Sequence, residues 1–279
     1  MRRRPEALRR SLIALAAAGA ALAVQGEPRP LWELGLGAGP LIFNDYRGSD
    51  TTHVYPLPVP YFVYRGQIFK SDREGIRGQL FNQDRVELNL SVNGTTPVRS
   101  DSARHGMPDL RSTVEVGPAL DVHLWRSDDR RVRLDLRLPV RAAVTVEASP
   151  QFIGLFAAPN INLDLQQRAG AEGWKLGVLA GPLFADRRYD RYFYTVAPQY
   201  ATADRPAFEA RGGYAGTQML VSLTRRFPHY WVGGFVRHDT LGGASFVESP
   251  LVKRNSYWFG GVGVAFIIGQ SRRLVESEE

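Results

Sequence analysis

The sequence predicts an all-β fold: a transmembrane antiparallel β-barrel of about 12 strands (about 10–14 fit), with short turns at one end and longer loops at the other. Three observations predict it. The first is period-two alternation. Val86, Leu88, Leu90 and Val92 alternate with Glu87, Asn89 and Ser91. Val132, Leu134, Leu136, Leu138 and Val140 alternate with Arg133, Asp135 and Arg137, and Ile161, Leu163 and Leu165 with Asn162, Asp164 and Gln166. Successive strand side chains point to opposite faces, so each segment has one apolar and one polar face. The second is length. A β-sandwich alternates too, but its strands usually run about 3–10 residues. Residues 131–146 and 109–125 stay strand-like for longer, as membrane-crossing strands do. The third is the rhythm of connections. Short polar turns at 65–66, 82–84, 126–130, 168–173 and 225–229 interleave with longer stretches near 44–53, 94–109, 148–154, 187–207 and 240–254.

Taken in order, residues 1–23 read as a secretory signal peptide. "MRRRPEALRR" carries five arginines and one glutamate; "SLIALAAAGAALA" follows without a charge and ends in small residues at Ala21 and Ala23. That apolar run of 13 residues is too short for a bilayer core, which needs about 20. Cleavage leaves residues 24–279 as one barrel domain, with 269–279 as a polar periplasmic tail. It removes five of the 35 basic and one of the 28 acidic residues, so the net charge falls from +7 to +3. The basic excess is therefore mostly targeting signal and gives no reason to expect nucleic acid. The absence of cysteine excludes a disulfide framework, a thiolate metal site and an acylated lipoprotein anchor.

Strands are expected near 31–43, 54–64, 67–71, 75–81, 85–93, 110–125, 131–147, 155–167, 174–186, 208–224, 230–239 and 255–268. The two between 67 and 81 are too short to span, and ten strands follow if that region folds differently. An even count places both termini on the periplasmic side.

Three stretches resemble a known family. "DYRGSD" (45–50), "PLPVPYFVYRGQIF" (56–69) and the long "RYDRYFYTVAPQYATADRPAFEARGGYAG" (188–216) look like the MltA-interacting protein (MipA/OmpV) family, in matching order along almost all of the mature chain. The resemblance implies an outer-membrane barrel of a Gram-negative bacterium. It also implies a scaffold that brings a murein lytic transglycosylase together with a penicillin-binding protein. Other members imply the alternative: a porin-like or surface-binding barrel that passes or binds small charged solutes. The barrel-assembly machinery, which reads an aromatic final strand, is a further implied partner. That strand is "SYWFGGVGVAFIIG" here, with Tyr257, Trp258, Phe259 and Phe266, and "QSRRLVESEE" makes it internal.

The candidate site residues fall in two groups. Arg111, Glu115, Asp121 and His123 share one strand face; Arg133, Asp135, Arg137 and Arg141 share another. With apolar residues on lipid, these charges form a ladder in the lumen. The ladder either pairs internally and closes the barrel, or makes a constriction that selects charged solutes. The second group is the loop after residue 186, with Arg187, Arg188, Tyr189, Arg191, Tyr192, Phe193 and Tyr194. Rings suit a membrane interface or a packed plug, and arginines suit lipid phosphates or lumen acids. Three readings stay open: a packed structural loop over the rim, a ligand-binding lid, or an anchor to outer-membrane lipid. No enzyme is expected, because no nucleophile motif of the G-x-S-x-G kind is present. His53, His105, His123, His229 and His238 lack metal-ligand spacing, so neither metal nor cofactor is expected.

Overall fold

The computed structural model describes residues 28–276, except 66–68, 73–74, 79–80, 84, 100 and 168–172. The expected signal peptide and its cleavage site lie outside the described residues. The long strands are β2 (Trp32–Asn44), β3 (Thr52–Arg65), β7 (Val86–Thr95), β8 (Thr113–Arg126), β9 (Val132–Thr145), β12 (Trp174–Ala185), β13 (Gly213–Arg226), β14 (Tyr230–Thr240) and β15 (Ser256–Gln270). Shorter ones are β1 (Pro28–Pro30), β4 (Phe69–Asp72), β5 (Gly75–Gly78), β6 (Phe81–Gln83), β10 (Phe152–Ala157), β11 (Asn160–Gln166) and β16 (Leu274–Glu276). One α-helix, α1 (Arg187–Tyr194), follows β12.

The strands form an antiparallel barrel wall in which neighbours in sequence are neighbours in space. The exception is the seam, where β15 pairs with β2 and joins the last long strand to the first. β10 and β11 occupy one place in the wall, since both lie between β9 and β12; the break falls at Ala158–Pro159. The hydrogen-bonded path ends at β5 and β6, which follow one another in the chain, and β5 comes within 8 Å of β7. A small ribbon of β1 with β16 ties the two ends of the chain together. The expected polar tail is thus partly strand: β15 runs to Gln270 and β16 pairs Leu274–Glu276 with Pro30–Pro28.

Burial is inverted relative to a water-soluble protein. Leu36, Val116, Val140, Met219, Val262 and Ile268 are exposed on the wall, while Glu33, Asn89, Glu115, Asp121, Asp135 and Asp164 are buried inside it. A contiguous apolar exterior of this kind fits lipid as the surrounding solvent. Aromatic residues mark both rims: Trp32, Trp125, Trp174, Tyr230 and Phe266 at the turn end, Phe152, Phe184 and Trp258 at the loop end. Trp174 and Phe184 are ten residues apart on β12. That is about 33 Å along a strand and about 25 Å across the bilayer at about 40° tilt, matching the hydrocarbon band. Trp125 reaches the exterior through a bulge between His123 and Trp125, which breaks the alternation that keeps Asp121 and His123 inside.

Several expectations are corrected: 75–81 and 155–167 are each split into two strands, and β8 begins at Thr113 rather than near 110. β13 starts at Gly213 rather than near 208, because Phe208 forms a bridge to Val196 inside the preceding connection. Residues 187–194, expected as loop, are helical.

Candidate functional site

The buried apolar cluster lies at the loop end, where the long connections fold over one mouth of the barrel. α1 is central to it. The Asp186 carboxylate accepts a hydrogen bond from the Tyr189 amide at 2.8 Å, capping the helix start. The extended backbone of Thr195 ends it. Residues three and four apart share a helix face, so Tyr189, Asp190, Phe193 and Tyr194 are buried together. Arg187 and Arg191 point outward and meet Glu209 at 3.0 and 3.1 Å; the Arg188 guanidinium sits 5.0 Å from the Phe152 ring centroid. The helix seats closely because Gly154, at φ +133°, has no Cβ to strike the Tyr189 amide.

The stretch 45–50 holds the cap from the opposite side. Arg47 donates from Nε to Asp239 at 3.1 Å and from a terminal nitrogen to the Ala215 carbonyl at 2.7 Å. The Tyr46 hydroxyl donates to the Leu251 carbonyl at 2.8 Å, and Ser49 Oγ to Asp101 at 2.6 Å. Gly48, at φ +94°, turns its carbonyl to accept from the Lys253 and Arg254 amides at 2.7 and 3.0 Å. The two sequence motifs then meet. Tyr194 donates to the Arg47 carbonyl at 2.9 Å, its ring stands edge-on to Tyr46 at 6.2 Å, and it stacks on Phe246 at 3.7 Å. Burial pushes the Tyr46, Tyr189 and Tyr194 phenols well above their ordinary range, so they stay neutral donors. Burial also raises the Asp190 carboxyl, to about 7.

Beneath the cap lies the charged ladder. Arg141 meets Glu115 at 3.0 Å, Arg133 lies 2.9 Å from both Asp135 and Asp164, and His123 Nδ1 is 2.9 Å from Asp135. Arg137 stands 4.0 Å from Asp121 and 3.9 Å from Asp135. Cap and ladder are joined, because the Tyr189 hydroxyl donates to Glu115 at 2.8 Å. Arg111 does not belong to this group. It precedes β8, its side chain is 60% exposed and it lies 3.7 Å from Glu147, while its amide donates to the Tyr192 hydroxyl at 2.8 Å. On β15, Tyr257 faces inward and donates to Asp239 at 3.0 Å, and Phe259 lies 5.0 Å from the Arg237 guanidinium. Trp258 and Phe266 face outward.

Several residues of the cap escaped the sequence reading. Leu241, Phe246 and Leu251 are fully buried in the connection after β14. Their signal was available: three large apolar residues in a stretch otherwise rich in Gly and Ser. Asp190 and Ser245 gave none. Among the described residues no group of three or more His, Asp or Glu side chains is arranged to hold a metal ion.

An antiparallel wall sealed from last strand to first, apolar outside and charged within, defines a transmembrane β-barrel of the outer-membrane class. The family model described as MltA-interacting protein MipA matches residues 36–268, from β2 to β15, and the chain belongs to that family. Among solved structures it is similar to a bacterial polysaccharide outer membrane secretin, at 10% identity and a TM-score of 0.41, covering 86% of this chain and 99% of that one. No curated protein matches the chain.

Proposed function

We propose that the barrel is a closed, non-catalytic anchor in the outer membrane of a Gram-negative bacterium. It holds murein-remodelling enzymes at its short-turn end, which faces the periplasm. One observation carries this reading. The loop-end mouth is filled by the interlocked cap while Glu115, Asp135 and Asp164 inside have arginine partners. A filled barrel is suited to holding rather than passing. The ribbon of β1 and β16 lies at the turn end and adds protein surface there. The family name supplies the first partner class, a lytic transglycosylase of the MltA kind. A penicillin-binding protein is the second, and the barrel-assembly machinery acts during insertion.

The mature protein in lipid nanodiscs should retain a purified lytic transglycosylase of that kind and conduct little current in a planar bilayer. Failure to retain the enzyme, together with a large steady conductance, would replace this reading with the porin-like one.

A further inference from the structure

Asp190 is fully buried, at 0% exposure, on the inner face of α1. Its Oδ1 meets no hydrogen-bond partner among the described residues. Among the described residues its Oδ2 makes one hydrogen-bonding contact, with Ser245 Oγ at 3.3 Å. A serine hydroxyl carries a single proton. That proton is already taken, because Ser245 Oγ lies 2.7 Å from the Arg211 carbonyl, which can act only as an acceptor. Ser245 Oγ therefore gives Asp190 at most a shared, long hydrogen bond, which lowers the carboxyl pKa less than burial raises it, whereas a protonated carboxyl can donate to Ser245 Oγ in full. The geometry describes a neutral carboxylic acid, held on one side by α1 and on the other by the connection between β14 and β15.

The charged surroundings agree. Arg47, from the connection between β2 and β3, favours the ionised form, but it is engaged by Asp239 and the Ala215 carbonyl. Asp186, at the start of the same helix, opposes ionisation. Tyr194, at the helix end, is a neutral phenol. β10, which packs against α1, contributes Gly154 and Phe156 there and no charge.

We propose that Asp190 is a proton latch on the cap: its neutral form seats α1 in the barrel mouth, and its ionisation loosens α1 from the Ser245 connection. This goes beyond the anchor reading, since it gives the filled mouth a condition under which it opens. Burial holds the seated carboxyl up to about 7. Once loosened and hydrated, the carboxyl returns to about 3.9. The seated form thus holds the proton more tightly. Its advantage is complete below about pH 4, declines as pH rises, and is fully lost once pH passes about 7, with no further change above.

Amide hydrogen exchange on the full mature chain in detergent tests this, each rate being divided by the intrinsic rate at the same pH. Exchange across α1 should quicken at least about tenfold from pH 5 to pH 8, while β9 amides stay protected. Asp190→Asn keeps a neutral donor for Ser245 and should remain slow at both values. A flat wild-type profile, an Asp190→Asn profile that follows wild type, or a parallel change in β9 would each overturn the latch. Enzyme retention in nanodiscs at pH 5 reads the anchor separately, so failure of one idea leaves the other standing.

Discussion

Midway along the barrel the interior is polar, with Arg141 on Glu115 and Arg133 shared between Asp135 and Asp164. A few residues nearer the loop end it turns apolar, with Tyr194 stacked on Phe246 and both buried. The two regions sit in one barrel and touch through Tyr189 and Glu115. What differs is the solvent outside. Where lipid surrounds the wall, apolar side chains gain nothing by moving inward, so the alternating strands put their polar face inside. Once there, each charge needs a partner. Where water surrounds the loops, burial of apolar area again stabilises, by about 1.5–3 kcal/mol for a large side chain. The cap is in effect a small water-soluble core fastened to a membrane wall.

That contrast can be broken from either side. Phe246→Ala empties the fully buried centre of the cap and should cost about 3–5 kcal/mol of cap stability. Limited proteolysis should then cut within 195–210 while the barrel keeps its heat-resistant migration in gels. If the barrel collapses as well, the two regions are one cooperative unit. Val140→Arg places a charge on the exposed apolar exterior of β9 and should cost about 2–4 kcal/mol, read as a lower urea midpoint for folding into lipid vesicles. An unchanged midpoint would remove the case that Val140 faces lipid. Asp186→Ala removes the helix cap and should cost about 1 kcal/mol. It should raise α1 exchange modestly even at pH 5, where Asp190 is seated, and because Asp186 also opposes Asp190 ionisation it should move the pH-dependent rise to lower pH.

The wall was legible because its signal is local. Val132, Leu134, Leu136, Leu138 and Val140 alternate without interruption, and the short turns announce themselves. The strand count near 69–83 was weak in the sequence and is short and broken in the fold. The cap was much less legible. α1 has eight residues dominated by tyrosine and arginine, too short to form from propensity. It depends on Asp186 ahead of it and on Gly154 from another strand. Arg111 was placed on the lumen face by counting odd positions back from Glu115, but β8 begins only at Thr113 and the alternation has no force before it. The neutral state of Asp190 depends on Ser245 and Arg211, contacts that sequence spacing does not encode.

The seam between β15 and β2 has a consequence for how the chain assembles. It pairs Gly37 with Ala265, and the ribbon beyond it pairs Pro28 with Glu276, so closure waits for nearly the whole chain to be in place. Contacts of such long sequence separation form late and slowly. Until then β2 and β15 are open edges able to template pairing with another chain. Gly35, Gly37 and Gly39 on β2 bring no side chains to fix the register, and glycine-rich strands slip easily. Glu33 supplies what they lack: it reaches past the seam to accept two hydrogen bonds from Arg226 on β13, at 3.0 and 2.8 Å. A strand shifted by one residue would turn Glu33 to the opposite face, so this ion pair forms only in the closed register described.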